Sequence, residues 1–129
     1  MFSVRTYDYG LNPLDRELPL IMAQIETIEG VKNVSGISRV DGIDALFVGP
    51  ADLQFDLKNR PDVAPGDYGQ CLAAVIAPAK AAGKAAGILV RNLDDLPELR
   101  ALGFTHIAVD SDLSILRKGY QHILSQFAR

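Results

Sequence analysis

Ile43-Asp44-Ala45-Leu46-Phe47-Val48 is a short apolar run, opened by the turn pair Asp41-Gly42 and stopped by Gly49-Pro50. A run of this length, apolar rather than alternating and bounded by turn formers, reads as a buried strand. Reading outward, the same unit recurs. Upstream, Leu20 to Ile25 is another apolar run. It is followed by Ile28, Val31, Val34 and Ile37, whose three-residue spacing puts them along one side of a helix. Downstream, Ala51 to about Pro65 reads as a loop, with Pro61, Pro65 and Gly66 as breakers. Asp67 then suits the N-cap of a helix carrying Leu72, Val75, Ile76 and Ala79. Pro78 should kink or break that helix, and Gly83 should end it. Ala85 to Val90 gives a third strand. Asn92 caps a short helix with Leu93, Leu96 and Leu99, closed by Gly103. Thr105 to Val109 gives a fourth strand. A last helix from about Asp112 carries Leu116, Tyr120, Ile123, Leu124 and Phe127 on one face.

The pattern is an α/β fold of four consecutive parallel βα units, with continuous apolar strands that imply a parallel sheet covered by helices. Four units are half of an eight-unit barrel. A four-stranded open sheet is the other arrangement that fits. Residues 1–18, with Gly10, Asn12 and Pro13, read as a leader or linker, and residues 19–129 as the folded domain.

The 129 residues suffice for one domain with a real core. With 13 basic and 16 acidic residues and no basic stripe, nucleic acid is not an expected partner. The single cysteine, Cys71, forbids an internal disulfide and fits a reducing compartment. Arg5 and Asp8 interrupt the N-terminus, so it does not read as a signal peptide, and no apolar run reaches the ~20 residues of a membrane span. The expectation is a cytoplasmic protein.

In parallel α/β folds, sites are built at the carboxyl ends of the strands. Glu26 ends the first strand and Asp52 lies just past the second. Two carboxylates converging there suit a hard cation such as Mg²⁺ or Mn²⁺, with waters completing the shell. Caps or solvated loop charges account for the same spacing. Gly49-Pro50-Ala51-Asp52 adds a close backbone approach at Gly49 and free N–H groups at Ala51 and Asp52, which could hold a small carboxylate beside a cation. An ordinary turn with Asp52 as a helix cap is the alternative.

Gln24-Ile25-Glu26-Thr27, Gly30-Val31-Lys32-Asn33, Val40-Asp41-Gly42-Ile43-Asp44 and Phe47-Val48-Gly49-Pro50-Ala51-Asp52-Leu53 occur in the order seen in a known family. So do Ala82-Gly83-Lys84, Gly87-Ile88-Leu89, Leu102-Gly103-Phe104 and Val109-Asp110-Ser111-Asp112. Over about residues 18–127 the chain resembles the metal-dependent pyruvate aldolases. These include 2-dehydro-3-deoxyglucarate and 4-hydroxy-2-oxoheptanedioate aldolases, with the citrate lyase β-subunit more distant. The resemblance implies the C-terminal half of a TIM (β/α)₈ barrel. It implies Glu26 and Asp52 as ligands of a divalent metal (Mg²⁺, Mn²⁺ or Co²⁺), which chelates a 2-oxo acid such as pyruvate and stabilises its enolate as a Lewis acid. It further implies that Gly49, Pro50 and the Ala51 and Asp52 amides hold the substrate carboxylate, that Gln24 lines the site and that Leu89 lies against the substrate. No lysine Schiff base is required.

The chain departs from that family in three ways. Members are about twice as long. Their general-base histidine and their keto-polarising arginine have no counterpart here, so the catalytic base is unknown; His106 and His122 read as packing or surface residues. Gln54 stands where the family often has serine. The first reading is a carbon–carbon lyase acting on 4-hydroxy-2-oxo acids, or a related biosynthetic enzyme that decarboxylates oxaloacetate and forms a carbon–carbon bond. The second is a truncated, non-catalytic paralogue that binds metal or pairs with a full-length subunit. Open outer strands favour self-association as a homo-oligomer or assembly with a partner subunit. The face at Tyr120, Ile123, Leu124 and Phe127 suits either a neighbouring subunit or the chain's own sheet.

Overall fold

A computed structural model describes residues 19–127; the leader assigned to 1–18 lies outside them. Four strands, β1 (Met22–Ile25), β2 (Ala45–Val48), β3 (Ala85–Val90) and β4 (His106–Val109), form one sheet in the order β1-β2-β3-β4. Every neighbouring pair is parallel, with Gln24 opposite Phe47, Phe47 opposite Gly87 and Gly87 opposite His106. A doubly wound sheet reverses its strand order at a switch point. This order runs in one direction only, and with right-handed crossovers that puts the connecting helices on one face. The arrangement is a barrel segment, as the βα rhythm predicts, rather than an open doubly wound sheet.

The helices are α1 (Ile28–Ile37), α2 (Pro50–Asn59), α3 (Tyr68–Ala81), α4 (Leu96–Leu102) and α5 (Asp112–Phe127). Thr27 caps α1 by accepting from Gly30 N–H, and Asp67 and Gln70 form a reciprocal capping box at α3. Gly103, at φ +119°, closes α4. The core lies between the sheet and the helices: Ile25, Leu46, Val48, Ile88 and Val90 from the strands meet Val31, Val34, Leu53, Leu72 and Val75. The opposite face of the sheet carries Met22 and Gln24, both exposed, and Phe47 and Leu89, both half-buried.

Two expectations need correction, and of the two settings left open for the last helix the structure disfavours one. Residues 51–65 are not one loop, because Pro50–Asn59 is helical. Proline at the first helical position has no N–H to waste and a φ already suited to the helix, so it starts α2 instead of marking a break. Pro78 does not stop α3, which continues to Ala81; only one short turn remains beyond it, so few helical bonds depend on the missing N–H. The last helix does not cover its own sheet. No residue of α5 is buried, and Tyr120, Ile123, Leu124 and Phe127 are all more than half exposed.

Carboxylates joined to basic groups tie the elements together. Asp56 on α2 accepts from Ile28 N–H at the start of α1 (2.8 Å) and from Arg60, which also reaches Glu29. Asp110, at φ +54° after β4, pairs with Lys118 of α5 at 2.7 Å. Hydrogen bonds from Arg60 hold the Glu29 and Asp56 carboxyls below their ordinary range, and the Lys118 ammonium holds Asp110 down at about 2. A depressed folded-state pKa contributes stability above the unfolded value, and that stability is lost as pH falls through the folded value. The fold should therefore weaken between pH ~4.5 and ~2. Lys118→Met should move the acid-unfolding midpoint upward by ~0.5 pH unit, read by far-UV circular dichroism. An unmoved midpoint would show that this ion pair is not formed.

Candidate functional site

The site grows from the junction of β1, β2 and α2. Gln24 and Glu26 are two residues apart at the end of β1, so alternation puts both side chains on the same face of the sheet. The Gln24 amide donates from Nε2 to Glu26 Oε2 at 2.6 Å. Glu26 is half-buried, and among the described residues no ion pair involves it or Asp52. Its carboxylate is therefore oriented by a neutral donor and keeps lone pairs free.

Gly49 follows β2 and is buried. Its N–H donates to Ile25 O (3.1 Å), and its carbonyl accepts from Leu53 N–H, the first bond of α2. A Cβ at this position would sit 2.9 Å from Glu26 Cβ, 2.9 Å from Glu26 Oε2 and 3.3 Å from Gln24 Nε2. Only glycine lets the start of α2 approach Glu26 this closely. Asp52 lies in the first turn of α2, three residues after Gly49, and is exposed. No hydrogen-bond acceptor faces the Ala51 and Asp52 N–H groups among the described residues, as the first turn of any helix dictates. Gly49 thus brings the first turn of α2, which carries Asp52 and the two free amides, up against the Gln24–Glu26 pair.

Among the described residues no three His, Cys, Asp or Glu side chains cluster closely enough to hold a metal ion. A cation here would have two protein ligands, with the rest of its shell from water and substrate. That donor set fits a hard, hydrated cation held by carboxylates and does not fit a closed structural zinc site.

Leu89 is half-buried on β3, on the same face as Gln24 and Phe47 by register. Leu89, Pro50 and Ala51 border one cavity of about 520 Å³. Gln54, the departure from the family's serine, reaches the Tyr68 hydroxyl. Burial pushes the Tyr68 phenol up, and the hydrogen bond from Gln54 partly offsets that.

Phe47 was not singled out by sequence. A Cβ at Gly87 would come 2.5 Å from Phe47 Cδ2, so the ring lies across the bare backbone of β3 and floors the open face. The glycine inside the third strand was the signal, since such a residue marks a close approach. His106 is exposed at the start of β4 with Nδ1 3.0 Å from Thr105 Oγ1, and His122 is exposed on α5. β4 is the far edge of the sheet from β1, so neither histidine joins Glu26.

Comparison with known proteins bears on the family and the fold. A family model for HpcH/HpaI aldolase/citrate lyase matches residues 8–119. The 5-keto-4-deoxy-D-glucarate aldolase of Salmonella arizonae is 37% identical over 109 residues, covering 84% of this chain and 43% of that enzyme. The hydroxypyruvate/pyruvate aldolase of Delftia acidovorans is 36% identical over 98 residues, 76% of this chain and 36% of the relative. The crystal structure of a family protein from Burkholderia cenocepacia superposes with a TM-score of 0.72 at 31% identity, covering 97% of this chain and 47% of that one. The chain thus spans less than half the length of these relatives.

Proposed function

The chain belongs to the HpcH/HpaI aldolase/citrate lyase family, and from that premise we propose that residues 19–129 carry the metal- and oxo-acid-binding half of an aldolase site. The reaction is cleavage or formation of the C3–C4 bond of a 4-hydroxy-2-oxo acid, with pyruvate and an aldehyde as the other side of the equilibrium. The supporting observation is the apposition of Gly49 to the Gln24–Glu26 pair, which sets the start of α2 against the end of β1.

Glu26 and Asp52 would hold a divalent cation. When bound, such a cation supplies Lewis acidity toward the keto oxygen of the oxo acid. Gln24 fixes the Glu26 carboxylate through its amide. The free amides of Ala51 and Asp52 receive the substrate carboxylate, helped by the positive end of α2. Gly49 and Pro50 shape that cradle, and Leu89 packs against the substrate.

Cleavage also needs a base to take the 4-hydroxyl proton, while the C3–C4 electron pair passes into the pyruvate unit. Among the described residues no histidine stands beside Glu26, so we assign the base to a surface outside them. This favours assembly: the exposed apolar side of α5 and the edges at β1 and β4, which pair with no further strand among the described residues, suit a homo-oligomer or a partner subunit. A metal-binding subunit that is itself non-catalytic is the second reading, favoured by the same absence of a nearby base.

Pyruvate in D₂O with Mn²⁺ or Mg²⁺ tests the proposal. Methyl-proton loss followed by NMR should depend on the cation, stop on chelation, and be absent in Glu26→Ala and Asp52→Ala. A folded protein that exchanges no protons would exclude a self-sufficient aldolase and leave the subunit reading. Manganese affinity equal in the wild type and both variants would exclude the site itself.

A further inference from the structure

Helix α4 is seven residues long and buries none of them fully, so it stands over β3 without sealing it. The cavity of about 520 Å³ lies there, between α4 and the start of α3, and its size is that of small-molecule sites. Its walls are apolar: Leu72 of α3, Ile88 of β3, and Leu99 and Leu102 of α4. Leu102 is 41% exposed, apolar surface that the described residues leave uncovered. Gln24, Glu26 and Asp52 do not line this cavity. Its rim carries charge of both signs. Arg91 follows β3, Asp95 precedes α4 and Glu98 lies in its first turn. All three are exposed, and among the described residues none joins an ion pair, with one another or with any other group. Asp95 stands at the N-cap of α4 yet makes no side-chain capping bond, so a carboxylate that would ordinarily serve its helix is left free.

We propose that the cavity between α3 and α4 binds a free α-amino acid with an apolar side chain. A zwitterion needs both signs at once. Arg91 offers a planar, permanently charged fork to its carboxylate, and Asp95 and Glu98 accept from its ammonium. The apolar side chain covers Leu72, Ile88, Leu99 and Leu102. A simple amine leaves the guanidinium unanswered, and a simple carboxylate meets two like charges, so the mixture of signs on the rim sets the ligand class. The site does not depend on the oxo-acid reading. Pro50 and Ala51 also border the cavity, so an occupant lies against the first turn of α2.

L-Leucine, 4-methylpentanoate and 3-methylbutylamine provide the test, because they share one isobutyl group and the last two lack the ammonium and the carboxylate in turn. Each is titrated into the full chain and followed by NMR at the methyl groups of Leu72, Ile88 and Leu99. L-Leucine should shift these resonances and bind about tenfold tighter than either analogue, the scale of one charge-assisted contact. Arg91→Gln should remove its advantage over 3-methylbutylamine and leave the binding of that amine unchanged. Asp95→Asn combined with Glu98→Gln should remove its advantage over 4-methylpentanoate. Glu26→Ala should bind L-leucine as the wild type does, which separates this site from the proposed metal site. Equal affinity for all three probes, no shift at these methyl groups, or loss of L-leucine binding in Glu26→Ala would each overturn the proposal.

Discussion

Gly49→Ala should lower metal-dependent pyruvate exchange about a hundredfold while the protein stays folded. The backbone at Gly49 has φ −91° and ψ 90°, which alanine adopts without strain. The damage comes from space. The added methyl would lie 2.9 Å from Glu26 Cβ and 2.9 Å from Oε2, and no real contact of that kind survives. Glu26 Cβ is held to the strand and cannot swing away, so either β1 or the start of α2 must shift. Both carry the proposed ligands, and a displacement of about 1 Å in a positioned group costs on the order of a hundredfold in rate. Circular dichroism should change little, because the residue removes no core contact. A double variant separates position from bulk. If Gly49 acts through the Glu26 carboxylate, Gly49→Ala combined with Glu26→Ala should be no worse than Glu26→Ala alone, since coupled sites are not additive. Strict additivity in manganese affinity would show that Gly49 has a separate role.

That pair of residues also marks how far the sequence could be read. Glu26 and Gly49 were legible, because strand ends and a glycine before Pro-Ala-Asp are local signals. The hydrogen bond between Gln24 and Glu26 follows from strand alternation and was within reach. The helical state of Pro50–Asn59 was not. Its ten residues bury only Leu53, so the apolar periodicity that reveals α1 is missing, and Gly49-Pro50 looks like a stop when it is a start. Reading α2 as loop hid the reason why the Ala51 and Asp52 amides are free: they are first-turn groups of a helix, available by construction. The face of α5 was legible as amphipathic, but sequence alone could not say against what it packs.

Leu53→Ala should be the most damaging single change to stability, at about 3 kcal/mol, within the range for a fully buried leucine. Leu53 is 0% exposed and belongs to the central core, and it is the only buried residue that α2 contributes. Helices α1 and α3 are each held by several buried side chains; α2 is held by one, together with the Asp56 bond to Ile28 N–H. Domains of this size have only about 5–15 kcal/mol in hand, and among the described residues this sheet has one face without a helix layer, so the loss is a large part of the total. The functional consequence follows from where α2 begins. Its first turn carries Asp52 and the two free amides, so a helix detached from the core no longer presents them at a fixed distance from Glu26. Urea unfolding should show the loss of stability, and pyruvate affinity should fall even well below the unfolding midpoint. Leu53→Met, which nearly conserves volume, should cost less than about 1.5 kcal/mol and keep the affinity. If Leu53→Ala loses the expected stability yet binds pyruvate as tightly as the wild type, then α2 is fixed by its surface contacts and the amide cradle does not depend on the core. If both fall together, the proposed metal ligand Asp52 and the proposed carboxylate cradle are positioned by one buried side chain.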